Sequence, residues 1–256
     1  MLKKLLSVMM VTILMMSMFA TSALAKSDHA RKSLVALGDS ITYGYNLGKD
    51  NSEPSQNAFP FLMAQVAKLK VTNLAVPKLT SSQLLDLVKN DKGYRKDLKH
   101  ADYVTLSIGN NDLLAAVSGA TVNGTLDVAQ LQASLVTTVL PGILGNVKNT
   151  IAEIRSLTDA PIVVYNIYNP YQVSNQPMHA LTNQLLTQLV NNNLGILVQS
   201  LAAADKCHTL ELADAYTAFG ENQLLYVRQN DIHPTIEGQQ LLAEIGEAVL
   251  GLKKQH

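Results

Sequence analysis

Five short segments rich in apolar residues punctuate the chain, at 34–37, 71–75, 103–108, 161–167 and 209–212. Several are apolar at consecutive positions instead of alternating. That is the pattern of strands covered on both faces, as in a parallel sheet. Between them lie helical periodicities, at 59–69, 81–88, 128–157, 178–204 and 236–250. The third contains Pro141-Gly142, which predicts a bend or break there. The last is entered through His233-Pro234-Thr235. Repeated alternation of strand and helix predicts an α/β fold of three layers, αβα, around a central parallel five-stranded sheet with right-handed crossovers.

In such a sheet the functional loops gather at the carboxyl ends of the strands, near the switch point. Ser40, Lys78, Asn111 and Asn169 all follow strand segments and are expected on one rim. Ser40 stands in Leu37-Gly38-Asp39-Ser40-Ile41-Thr42-Tyr43-Gly44, directly after the first apolar run. A serine at a strand-to-turn junction can be held exposed above the sheet, as a nucleophilic hydroxyl requires. Gly109-Asn110-Asn111-Asp112 follows the third run, and Asp231-Ile232-His233-Pro234 lies near the C-terminus. Together the three segments supply a hydroxyl, an amide donor and a base. Tyr168 and Tyr171 end the fourth strand segment and are candidate pocket walls. Segments 46–57 and 118–127 read as exposed loops at the mouth of this site.

Composition narrows the setting. Lys3-Lys4, an apolar stretch over 5–19 and Ala23-Leu24-Ala25 fit a secretory signal peptide cleaved after Ala25. Cleavage there leaves 231 of 256 residues, enough for a single α/β domain over 26–256. It also removes two of 20 basic residues and none of 20 acidic ones, shifting the formal charge from +0 to about −2. No basic run marks a nucleic-acid partner. The expected location is extracellular or at the cell surface, with no stable membrane span after cleavage. Cys207 is the only cysteine, so no intramolecular disulfide can form, and its apolar neighbours suggest a packing role. There is no Cys/His cluster to suggest structural zinc. His100 and His179 have no partner pattern and read as surface residues.

The three motifs, in this order, resemble the GDSL, or SGNH, family of serine hydrolases, and the resemblance runs from Gly38 to the last helix. It implies a flavodoxin-like sheet and hydrolysis of esters and thioesters without a metal or other cofactor. Carried over, Ser40 would attack the acyl carbonyl and His233 would move the proton. The oxyanion would be held by the Ser40 N–H, the Asn111 side-chain amide and a backbone N–H at Lys78. Asp39 and Asp112 would brace turns.

Two positions depart from the family pattern. Lys78 stands where glycine is usual. Either the turn suits an ordinary residue, or a left-handed backbone costs roughly 1–2 kcal/mol; alternatively, the ammonium itself faces the site. The carboxylate usually three residues before the histidine is replaced by Asn230, with Asp231 one residue later. Asp231 could orient the imidazole as third catalytic residue, a backbone carbonyl near Asn230 could do so instead, or Asp231 could only brace the last helix. The implied activity is a secreted serine esterase or lipase-like acyl hydrolase acting on small-molecule, lipid or polysaccharide esters. Its rivals are an O-acetylesterase of polysaccharide or peptidoglycan, and a non-catalytic cell-surface binding module on the same fold.

Overall fold

The computed structural model describes residues 31–205 and 209–253. The segment read as a signal peptide and Cys207 lie outside these residues. The main sheet contains β1 (Ser33–Gly38), β2 (Lys70–Asn73), β3 (Tyr103–Ser107), β6 (Ile162–Tyr165) and β7 (Leu210–Ala213), in the order β2-β1-β3-β6-β7. Every pairing is parallel. Each expected strand is present, within one or two residues of its predicted ends.

The unbroken apolar runs have the cause their pattern implied. In β1, Val35 and Leu37 pack on one side with Leu84, Ile143, Val147 and Ile154. Leu34 packs on the other with Phe59, Met63, Tyr165 and Leu242. β6 is buried at all four positions for the same reason. Helices Ser81–Asn90 and Leu140–Arg155 thus contribute to one layer, and Phe59–Ala67 and Ile236–Leu250 to the other. The chain leaves β1 for β2 on one side and returns to β3 on the other. The switch point therefore lies between the carboxyl ends of β1 and β3, directly below Ser40 and Asn110-Asn111.

Several elements differ from expectation. Helix Lys92–Lys99 carries one buried residue, Leu98, so its sequence shows almost no apolar period; Asp91 caps it by accepting from the Gly93 and Tyr94 N–H groups. Helix Asn110–Gly119 follows the third strand without an expected pattern. The segment read as a loop at 118–127 instead contains the antiparallel hairpin β4 (Thr121–Val122) and β5 (Thr125–Leu126). Its turn is Asn123-Gly124, with φ of 50° and 78°. Both residues are suited to the left-handed conformations that a tight hairpin demands.

Pro141 does not break the third helix. The helical run continues from Val128 to Arg155, with a π-helical segment at Leu135–Val139. Thr137, four residues before Pro141, lies inside that segment. In an α-helix its carbonyl would meet the proline ring and find no N–H; the wider π turn accommodates both facts. This run is long and apolar enough to cross a membrane, and its Ile143, Val147, Ile151 and Ile154 are buried in the core.

A second π segment, Leu186–Asn191, interrupts the run from Gln176 to Ala204. It ends on Asn191, whose Oδ1 accepts from the Ile167 N–H at 3.1 Å and whose Nδ2 donates to the Ile167 carbonyl at 2.8 Å. One buried amide thereby satisfies both backbone groups of the residue just past β6. Asn191→Ala leaves both without a partner and is expected to lower unfolding free energy by at least about 2 kcal/mol. The exposed neighbour Asn192→Ala should stay within about 0.5 kcal/mol of wild type. Urea titrations of both variants check this; equal midpoints would remove the anchoring role.

Candidate active site

Gly38 closes β1 where a side chain has no room: a Cβ there would lie 2.5 Å from the Ser107 carbonyl oxygen. The close approach brings Asp39 to the N-cap of the short helix Ser40–Tyr43, where its Oδ1 accepts from the Ile41 N–H at 2.9 Å. Ser40 is the first residue of that helix and remains 7% exposed. Its N–H has no acceptor among the described residues, as expected for the first turn of a helix.

His233 reaches Ser40 from a turn across 193 residues of sequence. The Arg228 N–H donates to the His233 carbonyl, and Val227 bridges Pro234, so the turn is closed at its base. Asn230 within it has φ of 55°. Asparagine tolerates this left-handed conformation better than most residues. The consequence concerns the displaced carboxylate: Asp231 Oδ1 lies 2.6 Å from His233 Nδ1, and His233 Nε2 lies 2.9 Å from Ser40 Oγ. An ionised carboxylate only accepts, so Nδ1 carries the proton and Nε2 accepts from the serine hydroxyl. Burial works against the Asp231 charge, but hydrogen bonds and charge attraction from His233 outweigh it and hold the carboxyl below its usual range. Of the three alternatives for holding the ring, the Asp231 carboxylate is the group in contact.

Two residues that sequence reasoning passed over support this turn. The Arg228 Nε lies 3.3 Å from Asp231 Oδ2, and its Nη1 donates to the Asn46 carbonyl at 3.0 Å. Tyr45 packs its ring 5.2 Å from the His233 imidazole. Segment 46–57 therefore touches the site, and Asn51 stiffens it by accepting from the Asn46 N–H.

On the opposite side, Lys78 has φ of 69°, the left-handed turn that favours glycine. Lysine there costs about 1 kcal/mol. Its N–H has no acceptor among the described residues, and its side chain is exposed. Asp112 accepts from the Ser81 N–H and hydroxyl at 2.9 and 2.7 Å, tying helix Asn110–Gly119 to this turn. Asn111 Nδ2 donates one hydrogen to the Leu79 carbonyl at 2.9 Å, leaving the other for a ligand. Asn110, not singled out in the sequence, donates to Asp39 Oδ2 at 3.2 Å.

An apolar cavity opens next to Asn110 and Ile232, the chain neighbours of Asn111 and His233. Asn110 and Tyr168 stand on its walls, with Leu113, Leu131, Leu135 and Leu186 among the apolar lining. Both π segments contribute to it, through Leu135 and through Leu186 and Val190. Tyr168 stacks on Phe219 at 4.2 Å and donates to the Ile232 carbonyl at 2.6 Å, and burial pushes its phenol well up. Tyr171 lines the same cavity. Asn169, expected on the rim, is buried; it donates to the His179 carbonyl at 3.0 Å and to Asn183 Oδ1 at 2.7 Å. His179 is buried too, contrary to its reading as a surface residue. Its ring nitrogens meet the Tyr171 carbonyl at 2.8 Å and the Asn183 amide at 3.0 Å. His100 is exposed, as expected.

Asp39 carries the most displaced carboxyl that bears on the site. Burial, opposed by the Ile41 N–H and the Asn110 amide, pushes it from 3.8 up to about 6. The unfolded chain loses this proton near pH 4 while the folded chain keeps it, so stability falls as pH rises from about 4 to 6. Asp39→Asn cannot titrate. Its stability relative to wild type is expected to rise across that window by up to about 3 kcal/mol. Denaturant midpoints of both proteins at pH 4, 5, 6 and 7 measure it; a pH-independent difference would show the carboxyl is not displaced.

Comparison with known proteins identifies the family. Residues 36–241 match the GDSL-like Lipase/Acylhydrolase family. A Bacillus subtilis (strain 168) protein, described as the uncharacterized protein YpmR, is 24% identical over 219 residues, spanning 82% of this chain and 78% of that one. The fold is similar to the lipase Lip_vut3 from a goat rumen metagenome, with a TM-score of 0.64 and 22% identity over 87% of this chain and 98% of that chain. It is also similar to phospholipase A1 from Streptomyces albidoflavus NA297, with a TM-score of 0.62 and 19% identity over 86% and 99% of the two chains. The chain belongs to the GDSL-like lipase/acylhydrolase family and is an ester-bond hydrolase.

Proposed function

We propose that this protein is a secreted serine hydrolase that cleaves esters of medium- and long-chain fatty acids. The observation that carries the reading is the apolar cavity walled by Leu113, Leu131, Leu135 and Leu186, which Asn110 and Ile232, the chain neighbours of Asn111 and His233, also line. An acetyl group would leave most of these leucines without contacts, so the cavity favours a fatty acyl chain over an O-acetyl substrate. Secretion rests on the pattern over residues 1–25 alone.

In this reading Ser40 Oγ attacks the acyl carbon while its proton passes to His233 Nε2. The carbonyl π electrons move onto oxygen. The resulting oxyanion is met by the free N–H groups of Ser40 and Lys78 and by the second hydrogen of Asn111 Nδ2. Collapse of this intermediate expels the alkoxide, which takes the proton from Nε2 and departs as the alcohol. Water then repeats the sequence on the acyl-enzyme and releases the fatty acid. Asp231 stays ionised throughout, holds the Nδ1 proton and stabilises the imidazolium. Asp39 acts at one remove, fixing the Ser40 turn and the Asn110 amide.

Ser40→Ala should lose ester turnover and phosphonate labelling while melting like the parent. Asp231→Ala is expected to lower kcat by up to about 10⁴, the scale of a lost triad carboxylate. Asn230→Gly keeps the left-handed turn and should retain most activity. Stopped assays on 4-nitrophenyl octanoate, paired with melts, compare them; equal losses in both variants would deny Asp231 its special part.

Chain length provides a separate check. Across 4-nitrophenyl esters from acetate to dodecanoate, kcat/KM should rise at least tenfold from two to eight carbons or beyond. Leu135→Trp fills the cavity and should erase most of that rise while sparing acetate. A profile that peaks at acetate would overturn the fatty-acyl reading.

A further inference from the structure

A second groove runs along the other side of the wall made by Pro170, Tyr171 and Ile232, residues that line both spaces. It is open to solvent, and a larger share of its lining is polar than in the apolar cavity. Ser174, Asn175, Gln229 and Asn230 supply amides and a hydroxyl, and the charged group of the lining is the Asp231 carboxylate. Asp231 and Ile232 directly precede His233, so the groove abuts the base that must hand its proton to the departing alcohol.

We infer that this groove receives the alcohol half of the ester, and that this alcohol is an uncharged polyol, a glycerol or sugar headgroup, not one bearing phosphate. The inference rests on the fatty-acyl hydrolase reading and adds the identity of the leaving group. A carboxamide offers two donors and an acceptor, and a hydroxyl offers both roles. Such a set pairs with an array of alcohol hydroxyls, each of which also donates and accepts. Phosphate is held instead by guanidinium or ammonium groups or by free helix N–H groups. The lining has no cation. Arg228, close behind, is engaged with Asp231 Oδ2 and the Asn46 carbonyl, and Lys78 lines neither space. Helix Gln176–Leu185 starts at the groove edge after Asn175, but Pro177 removes a donor from its first turn. The Asp231 charge repels a second anion at this wall.

Three soluble octanoates test the idea on the full chain: 4-nitrophenyl octanoate, 1-octanoylglycerol and 1-octanoylglycerol 3-phosphate, each below its micelle concentration. The glycerol ester is expected to exceed its phosphorylated counterpart at least tenfold in kcat/KM. Gln229→Lys and Asn175→Lys each place a cation in the groove, and each should narrow that ratio at least fivefold. Using two sites guards against one variant misfolding, which melting curves report. Equal or faster cleavage of the phosphate ester by wild type overturns the inference, as does an unmoved ratio in both folded variants. Normal turnover of 4-nitrophenyl octanoate in those cases leaves the acyl-hydrolase reading standing. Failure on all three esters removes that reading and this inference with it.

Discussion

The hydrogen bond from His233 Nδ1 to Asp231 Oδ1 decides what the rest of the site can do. It places the proton on the far side of the ring, so that Nε2 presents a lone pair to Ser40 Oγ. Everything near it serves to keep that bond short. The Arg228–His233 backbone contact closes the turn, Asn230 bends it in the left-handed region, and the Arg228 guanidinium holds the outer carboxylate oxygen. A one-residue displacement of the acid is tolerated because the backbone, not the side-chain identity at one fixed spacing, sets where the carboxylate arrives.

The same economy appears at the other end of the site. Lys78 occupies a left-handed turn that costs free energy, and the cost is borne where a backbone N–H is left pointing free. Asp39 is likewise held at the expense of its own charge, buried so that it can cap the Ser40 helix and align Asn110. Strain and burial that would be defects elsewhere concentrate here, within a core whose apolar layers are otherwise continuous on both faces of the sheet.

What could be read from the chain depended on range. Most strands were legible because burial on both faces leaves consecutive apolar residues, as in Leu34 to Leu37 and Ile162 to Val164. Ser40 and His233 were legible through short motifs. Helix Lys92–Lys99 was not, because one buried leucine makes no period. The Asn123-Gly124 turn carried a local hairpin signal that was passed over. His179 was misread because its partners, Tyr171 and Asn183, reach it only after folding. The cavity was invisible for the same reason: its walls come from segments near 113, 131, 168, 186 and 232, and no one of them is unusual alone. Asp231 lay between these cases, since its identity was plain but its aim depended on the φ of Asn230.

The two π segments have a bearing on how such an enzyme diversifies. Each widens a helix by the equivalent of a single inserted residue, and each sits where a helix changes from lining the cavity to packing on the core. One residue corresponds to about 100° of rotation about a helix axis. Gaining or losing one residue at Leu135–Val139 therefore turns residues 128–134 to a new face while Ile143, Val147 and Ile151 keep their register on the sheet. The cavity wall and the catalytic core are mechanically uncoupled at that point. Related chains can reshape what they accept by the smallest possible length change, without renegotiating the fold beneath.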